Sequence, residues 1–404
     1  MKWFGRKAAR EAGRPFLLAG LPLRFGDALE ERPANYEARV RAAYLANPVA
    51  QRAVRLVAES VAWAPVYALD DEENRPRFER AGPRPTPGNG VVSLLAPSLL
   101  ETVATQLLLH GNAFVRVVQD AVAQPAELVA LRPERVRIEA DGRGWPAAYL
   151  YRVGPSTGSG STSRFEAVDA LGRPGVIHLK TVHPLDDHYG LGCLGAAAAA
   201  VELHGLAARW HRALLANAAR PSGALVYDPP DGAALSGEQF ARLKDELAAQ
   251  FSGAANAGRP LLLDGGLKWQ ALSLTPADMD MAALKAGAAR DIALAFGVPP
   301  MLLGLPGDAT YANYREANRA LWRLTVLPMA ERILRAIGDA LAAWRPGLRL
   351  AIDIDQVTAL AEDRERLWRQ IRAADFLSEE EKREMLGFAP QPPEGRAVSQ
   401  ARVS

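Results

Sequence analysis

The sequence predicts an α+β fold whose two halves are built differently. Short runs rich in β-branched and aromatic residues, separated by turn residues, recur from Phe114 to Lys180. Long Ala- and Leu-rich runs at helical spacing dominate after Gly195. The composition is 49% apolar and 23% charged, as in globular chains, and 404 residues suffice for two or three cores.

Met1–Leu23 is basic and then mildly apolar. Pro15, Gly20 and Pro22 break its apolar piece, so residues 1–36 read as an N-terminal arm rather than a signal peptide. Glu37–Ala62 carries Val40, Tyr44, Val54, Val57 and Val61 at helical spacing, with Asn47-Pro48 interrupting it and Pro48 opening a second helix. Arg75–Gly90 is rich in Pro and Gly and reads as an exposed connection. Pro97–His110 predicts a helix that Gly111-Asn112 ends, and Phe114–Gln119 begins a strand. Further strands are expected at Glu127–Leu131, Arg135–Glu139, Ala148–Val153, Arg164–Ala167 and Val176–Lys180, making an antiparallel sheet. Gly154–Ser163 is a flexible hairpin tip by composition.

Gly195–Ala219 predicts one long helix and Leu225–Tyr227 a strand. Ser236–Ser252 predicts an amphipathic helix, with Ser236 as N-cap and Gln239 at the capping-box position. Leu261–Leu263 and Leu267–Leu272 are expected to pair around Asp264-Gly265-Gly266. Thr275 and Pro276 start a second long helix that runs to Phe296. A small α/β unit thus sits between two helices, each about 30 Å long at roughly 1.5 Å per residue. Beyond them come the helix Tyr314–Ala343, the strand Leu348–Ile354, the charged helix Gln356–Ala374 and a short helix capped by Ser378 ahead of Glu381. The stretch after Pro390 reads as a disordered tail.

A formal net charge of +2 excludes a generally basic nucleic-acid coater but permits one local basic stripe. The single cysteine, Cys193, excludes an intrachain disulfide and a Cys-rich zinc site, and fits a reducing compartment. No apolar run approaches the roughly 20 residues of a bilayer span. The Walker loop and His-Glu-x-x-His do not occur, and Gly154-Pro155-Ser156-Thr157-Gly158 spells Gly-x-Ser-x-Gly only within the Gly/Ser-rich hairpin tip rather than at a strand-to-helix elbow, so no enzyme signature stands out.

Gly190-x-Gly192-x-x-Gly195 matches the dinucleotide fingerprint, and a nucleotide-cofactor-binding oxidoreductase is the alternative function it offers. However, His183–Asp187 separates it from the preceding strand, and the sheet reads as antiparallel. A tight Gly-rich entry into a closely packed helix explains the motif better, and no cofactor or metal is expected. His178, His183 and His188 lie five apart near Asp186 and Asp187, and read as loop and strand-end polar residues. His204 and His211 share one helix face and suit packing. Asp353 and Asp355 alternate on the expected strand without further support for a metal site.

Asp291–Asn313 (DIALAFGVPPMLLGLPGDATYAN) is the most informative stretch. A helical run ends in Gly-Val-Pro-Pro, an exposed apolar loop follows, and a long amphipathic helix restarts. That layout suits a mobile element between two rigid struts. On the restarted helix, Arg315, Arg319 and Arg323 form an i, i+4, i+8 row, while Leu321, Leu324 and Leu327 can be buried. The row suits a phosphate backbone or a salt-bridge face with Glu316 and Glu331.

Several motifs in order resemble the portal protein family of long-tailed double-stranded DNA phages, from about Glu37 to Pro390. They are His110–Val115 (HGNAFV), Val176–Leu179 (VIHL), Asn217–Leu225 (NAARPSGAL), Gly265–Trp269 (GGLKW), Asp291–Asn313, Thr325–Pro328 (TVLP) and Leu377–Gly387 (LSEEEKREMLG). Length and Ala/Arg-rich composition also resemble the compact portals of gene transfer agents. The resemblance implies a ring of about twelve subunits at one capsid vertex. It implies an α+β wing over 37–195, stem helices over 196–219 and 275–296, and a small clip over 220–274. It also implies a tunnel loop region over 297–313, a tunnel helix and wing strand over 314–355, a short helical crown over 356–390 and a tail over 391–404. The implied partners are the major capsid protein, the terminase large subunit, the head–tail adaptor and double-stranded DNA read without sequence specificity. No membrane partner is implied, and the place of assembly is the host bacterial cytoplasm. Leu302, Leu303, Gly304, Leu305, Pro306, Gly307, Asp308 and Tyr311 would line the channel. Arg315, Arg319 and Arg323 would face DNA or a neighbouring subunit. Gln239, Arg242, Lys244, Asp245, Lys268 and Trp269 would lie on the docking face of the clip.

Overall fold

The computed structural model describes residues 36–70, 77–80, 90–154, 161–216, 223–227, 236–242, 245, 267–271, 280–305 and 311–386. Helix α1 (Tyr36–Val40) runs into a wide π turn (Arg41–Leu45), and α2 (Pro48–Ala62) follows. Asn47 makes the break: its Oδ1 accepts from the N–H groups of Val49 (3.0 Å) and Ala50 (3.2 Å), and Pro48 sits where a helix needs no donor. Strands β1 (Val66–Asp70) and β2 (Arg77–Arg80) come next. The latter corrects the expected connection over Arg75–Gly90: four of its residues pair with β1, where local Pro and Gly content outvoted a short strand.

Helix α3 (Pro97–His110) matches its predicted bounds and ends on Gly111, whose φ of 82° is the left-handed cap glycine favours. The strands β3 (Asn112–Gln119), β4 (Pro125–Leu131), β5 (Val136–Ala140), β6 (Pro146–Arg152), β7 (Thr162–Glu166) and β8 (Val176–Lys180) follow. They form two three-stranded antiparallel sheets rather than one, in the orders β4-β3-β8 and β5-β6-β7. Phe114, Leu131, Val136, Tyr149 and Val176 make a small core joining these sheets. The other face of β3, through Ala113, Val115 and Val117, enters the main core. A strand buried on both faces carries a near-continuous apolar run, as AFVRVV does.

Helix α4 (Cys193–Ala216) leads to β9 (Gly223–Tyr227), which pairs antiparallel with β10 (Leu267–Ala271). The expected partner of that strand, 261–263, and its turn lie outside the described residues. So do residues 275–279, where the second long helix was expected to begin. Its described part is α5 (Met281–Ala295), which packs along α4. Helix α6 (Tyr311–Leu321), a π turn (Trp322–Val326) and α7 (Leu327–Leu341) make up the expected long helix. Pro328 explains the wide turn: lacking an N–H, it cannot continue the regular ladder, and Leu327 N–H bonds Trp322 O instead.

Strand β11 (Arg349–Ile352) closes a third sheet, β11-β1-β2. It ends before Asp353, so Asp353 and Asp355 do not alternate on a strand; Asp355 lies in a short turn and pairs with Arg364. The charged helix is α8 (Ala361–Arg372), preceded by two 3-10 turns, and α9 (Glu379–Met385) starts on the Ser378–Glu381 capping box. The main core gathers α2, α3, α5 and α7, with Val54, Val57, Ile292, Ile333 and Ile337 fully enclosed.

Candidate functional site

The site predicted from sequence begins where α5 ends. Phe296 and Val298 are buried, and Gly297 adopts φ 66° between them. Gly297 N–H bonds Leu294 O (3.0 Å) and Val298 N–H bonds Ala293 O (2.9 Å), the paired closure of a Schellman cap. Thr325 Oγ1 donates to Gly297 O at 2.7 Å and so ties this cap to the π turn of the following helix. The two struts are therefore joined at the base of the loop.

The loop itself leaves by Pro299-Pro300 and one 3-10 turn (Pro300–Leu303). Leu302 and Leu303 are half-buried against the main core, which corrects the expectation of a loop exposed along its whole length. Gly304 is exposed, with φ 72° and, among the described residues, nothing within 4 Å of a Cβ placed there. Leu305 is half-buried. Pro306, Gly307 and Asp308 lie outside the described residues, as does the side chain of Tyr311, whose backbone opens α6.

The arginine row is present on α6 and the π turn, but its partners were not foreseen. Arg315 pairs with Glu362 at 2.8 Å. Arg319 meets Glu362 (2.7 Å), Glu316 (3.0 Å) and Asp363 (3.6 Å), with its side chain only 14% exposed. Glu362 and Asp363 stand in the first turn of α8, where the positive end of the helix dipole favours carboxylates. Two of the three guanidinium groups thus clamp α6 to α8. Arg323 is exposed and makes no ion pair among the described residues. Leu321 is buried and Leu327 half-buried, but Leu324 is 77% exposed, because the π turn rotates it off the buried stripe.

Of the residues expected on the docking face, Arg242, Asp245 and Lys268 are exposed. Gln239 is committed locally: its Oε1 accepts from Ser236 N–H (2.9 Å) while Ser236 Oγ accepts from Gln239 N–H (3.2 Å), the predicted capping box. Trp269 lies opposite Leu225 in the ladder, with its side chain outside the described residues, and Lys244 lies outside altogether.

Gly190 and Gly192, the first two glycines of the Gly190–Gly195 motif, are packing devices. A Cβ on Gly190 would meet Gly111 O at 2.1 Å, and one on Gly192 would meet Leu109 O at 2.4 Å. Asn112, fully buried, fastens the same point. Its Oδ1 accepts from Gly190 N–H (2.7 Å), its Nδ2 donates to Gly190 O (3.1 Å), and Oδ1 also faces His178 Nε2 (3.1 Å). The amide thereby occupies the Gly190 N–H that a phosphate-binding turn would offer. His178 stacks on Phe114 at 4.3 Å, and burial pushes its pKa down to about 4. His110, edge-on to Tyr36 at 4.6 Å, is likewise pushed down to about 4 by burial. His204 is buried on α4 and its Nδ1 lies 3.3 Å from Asn47 Nδ2, in keeping with packing. Sequence reasoning missed the role of Asn112, reading Gly111-Asn112 only as a helix end.

The decisive comparison is with a family. The family model described as "Phage portal protein" matches residues 48–387. This chain belongs to the phage portal protein family. Among solved structures, a chain from the neck of a native gene transfer agent particle, computed with C12 symmetry, is 44% identical. The match covers 89% of this portal chain and 95% of that one, with a TM-score of 0.63. A Rickettsia felis protein is 38% identical over 86% of this chain and 88% of its own length. The HK97-family phage portal protein from Corynebacterium diphtheriae shares 17% identity and a TM-score of 0.52, over 78% of this chain and 96% of that one. It supports the fold alone. The portal motifs named from sequence therefore fall inside a matched region that includes both the arginine row and the Gly190–Gly192 junction.

Proposed function

We propose that this portal protein forms a ring of about twelve copies at one vertex of a phage-like or gene transfer agent particle and conducts double-stranded DNA through its centre. The likeness to a chain in a C12-symmetric particle neck carries this reading. Residues 37–195 form the wing, α4 and α5 the stem, and 220–274 the clip, which docks the terminase large subunit and later the head–tail adaptor. The wing meets the major capsid protein. Residues 297–313 form the tunnel loop, 314–355 the tunnel helix and a wing strand, and 356–390 the crown. The role is structural and involves no turnover.

The geometry supports a conduit. A near-neutral chain passes DNA without trapping it, because each neutralised phosphate would add salt-dependent affinity and slow movement. Arg323 is the member of the row best placed for passing phosphates, since Arg315 and Arg319 are engaged with α8. The loop from Gly304 to Ala312 touches DNA without base contacts. Deleting Leu305–Ala309 leaves rings intact and lowers the DNA content of particles. Normally filled particles from that deletion would remove the loop from the mechanism.

A further inference from the structure

Residues 181–192, between β8 and α4, hold an unusual display. Asp186 Oδ1 accepts from the N–H groups of His188 (2.8 Å) and Tyr189 (2.9 Å), and Lys180 Nζ donates to Asp187 O. His183 Nδ1 accepts from Leu185 N–H (3.1 Å), and the Tyr189 hydroxyl accepts from Ile138 N–H (3.0 Å). This well-fixed loop holds Val182 86% exposed and Leu185 90% exposed. Ordering a loop costs conformational entropy, and presenting two large apolar side chains from it brings nothing back within one chain.

A matching recess lies elsewhere. A groove of 730 Å³ runs between the end of α7, the turn Val91–Leu94 and the β3–β4 turn, lined by Val91, Leu94, Pro125, Leu341, Trp344 and Arg345. Its aromatic wall is fixed: Trp344 Nε1 donates to Ala123 O at 2.9 Å, and the Arg173 guanidinium lies 5.6 Å from the indole centre. Lys180, at the root of the loop, pairs with Asn112, the first residue of β3. Pro125, in the groove, pairs with Gln119, its last. Knob and groove therefore stand at opposite ends of one sheet. They are separated by the eight residues of β3, or about 26 Å at roughly 3.3 Å per residue. A ring built by rotation needs two different complementary patches on each chain, whereas a two-fold dimer needs one self-complementary patch.

We infer that neighbouring copies of this chain meet head to tail, with Val182 and Leu185 of one copy seated in the Trp344 groove of the next. This rests on the ring proposed above. The test uses full-length chains carrying Cys193→Ser, with Leu185→Cys on one population and Ala126→Cys, which edges the groove, on another. A short bismaleimide is added after assembly, and micrographs score rings independently. Covalent dimers only in the mixed sample, and a ladder from the chain carrying both substitutions, are the expected result. Rings without mixed dimers, or dimers from Leu185→Cys alone, would overturn the contact while leaving the ring standing. Chains that form no rings would overturn both. Leu185→Asp gives the second readout: the concentration for ring assembly rises by roughly tenfold or more while the melting temperature stays put. An unchanged assembly concentration would contradict the contact.

Discussion

Gly190 and Gly304 each occupy a turn beside a long helix, yet their surroundings are opposite. A side chain at Gly190 would strike backbone on two elements, Gly111 O at 2.1 Å and Thr181 N at 2.7 Å, while at Gly304 it would meet nothing within 4 Å. Asn112 and Thr181 then add hydrogen bonds around Gly190, whereas Gly304 is exposed. Glycine is used at the first site because backbones touch, and at the second because the chain must turn left-handed in open space. The difference teaches how one chain uses glycine in two ways beside its long helices. Helix α4 is entered through contacts that admit no side chain, and Gly304 turns in the open after the Gly297–Thr325 tie.

Substitution breaks this comparison most directly. Gly190→Ala is expected to cost about 4 kcal/mol or more and to prevent folding in a marginal background. Gly304→Ala costs about 1 kcal/mol, the strain of a left-handed Ala. Urea unfolding of the two variants gives the values, and equal losses would erase the distinction.

Acid attacks the same junction. His110 and His178 take up protons near the ordinary value of 6.5 when unfolded but only near 4 when folded. The unfolded chain therefore binds more protons in that window, so stability rises with pH and is lost as pH falls from 6.5 towards 4. The loss reaches up to about 3 kcal/mol per histidine. Hydrogen exchange at pH 5 should show β3 and β8 opening before the Gly297–Thr325 anchor; the reverse order would contradict the account.

Asn112→Ala leaves both polar groups of Gly190 without their partner and is expected to cost about 2 to 3 kcal/mol in unfolding measurements. Arg319→Ala removes contacts to Glu362, Glu316 and Asp363 and costs about 1 kcal/mol, shrinking in high salt. Arg323→Ala leaves stability unchanged, so a loss of DNA content in its particles would point to the channel. The smallest effect is a gain. The three tips Asp120–Gln124, Asp141–Trp145 and Asp169–Arg173 share one turn, in which the Asp carboxylate accepts two N–H groups. Their fourth residues are Ala123 (φ 59°), Gly144 (φ 87°) and Gly172 (φ 74°). Ala123→Gly should therefore stabilise by about 0.5 kcal/mol, read as a raised urea midpoint.

Much of this was legible locally. Caps and breakers placed α2, α3 and α9, because Asn47, Pro48, Gly111 and Ser378 act within a few residues of themselves. What the sequence hid depends on distant partners. Strand β1 is held by β11, far along the chain, and β2 then pairs on β1, so local composition outweighed both. The split into two sheets follows from Phe114 and Tyr149 sharing a small core, which no spacing reveals. Within the candidate site, the Gly297 cap and the arginine row were readable from their periods. The Thr325 tie, the Glu362 clamp and the seating of Leu302 and Leu303 required the packed molecule. Leu324 was misplaced because a regular helix was assumed through Pro328, and the π turn changes the phase.

The central claim is that this portal chain closes into a ring with a hole wide enough for DNA. Negative-stain imaging combined with mass determination on the purified full-length chain tests it most directly. The account predicts closed rings of about twelve copies with a central hole. A stable monomer at every concentration, or a compact dimer without a hole, would contradict it.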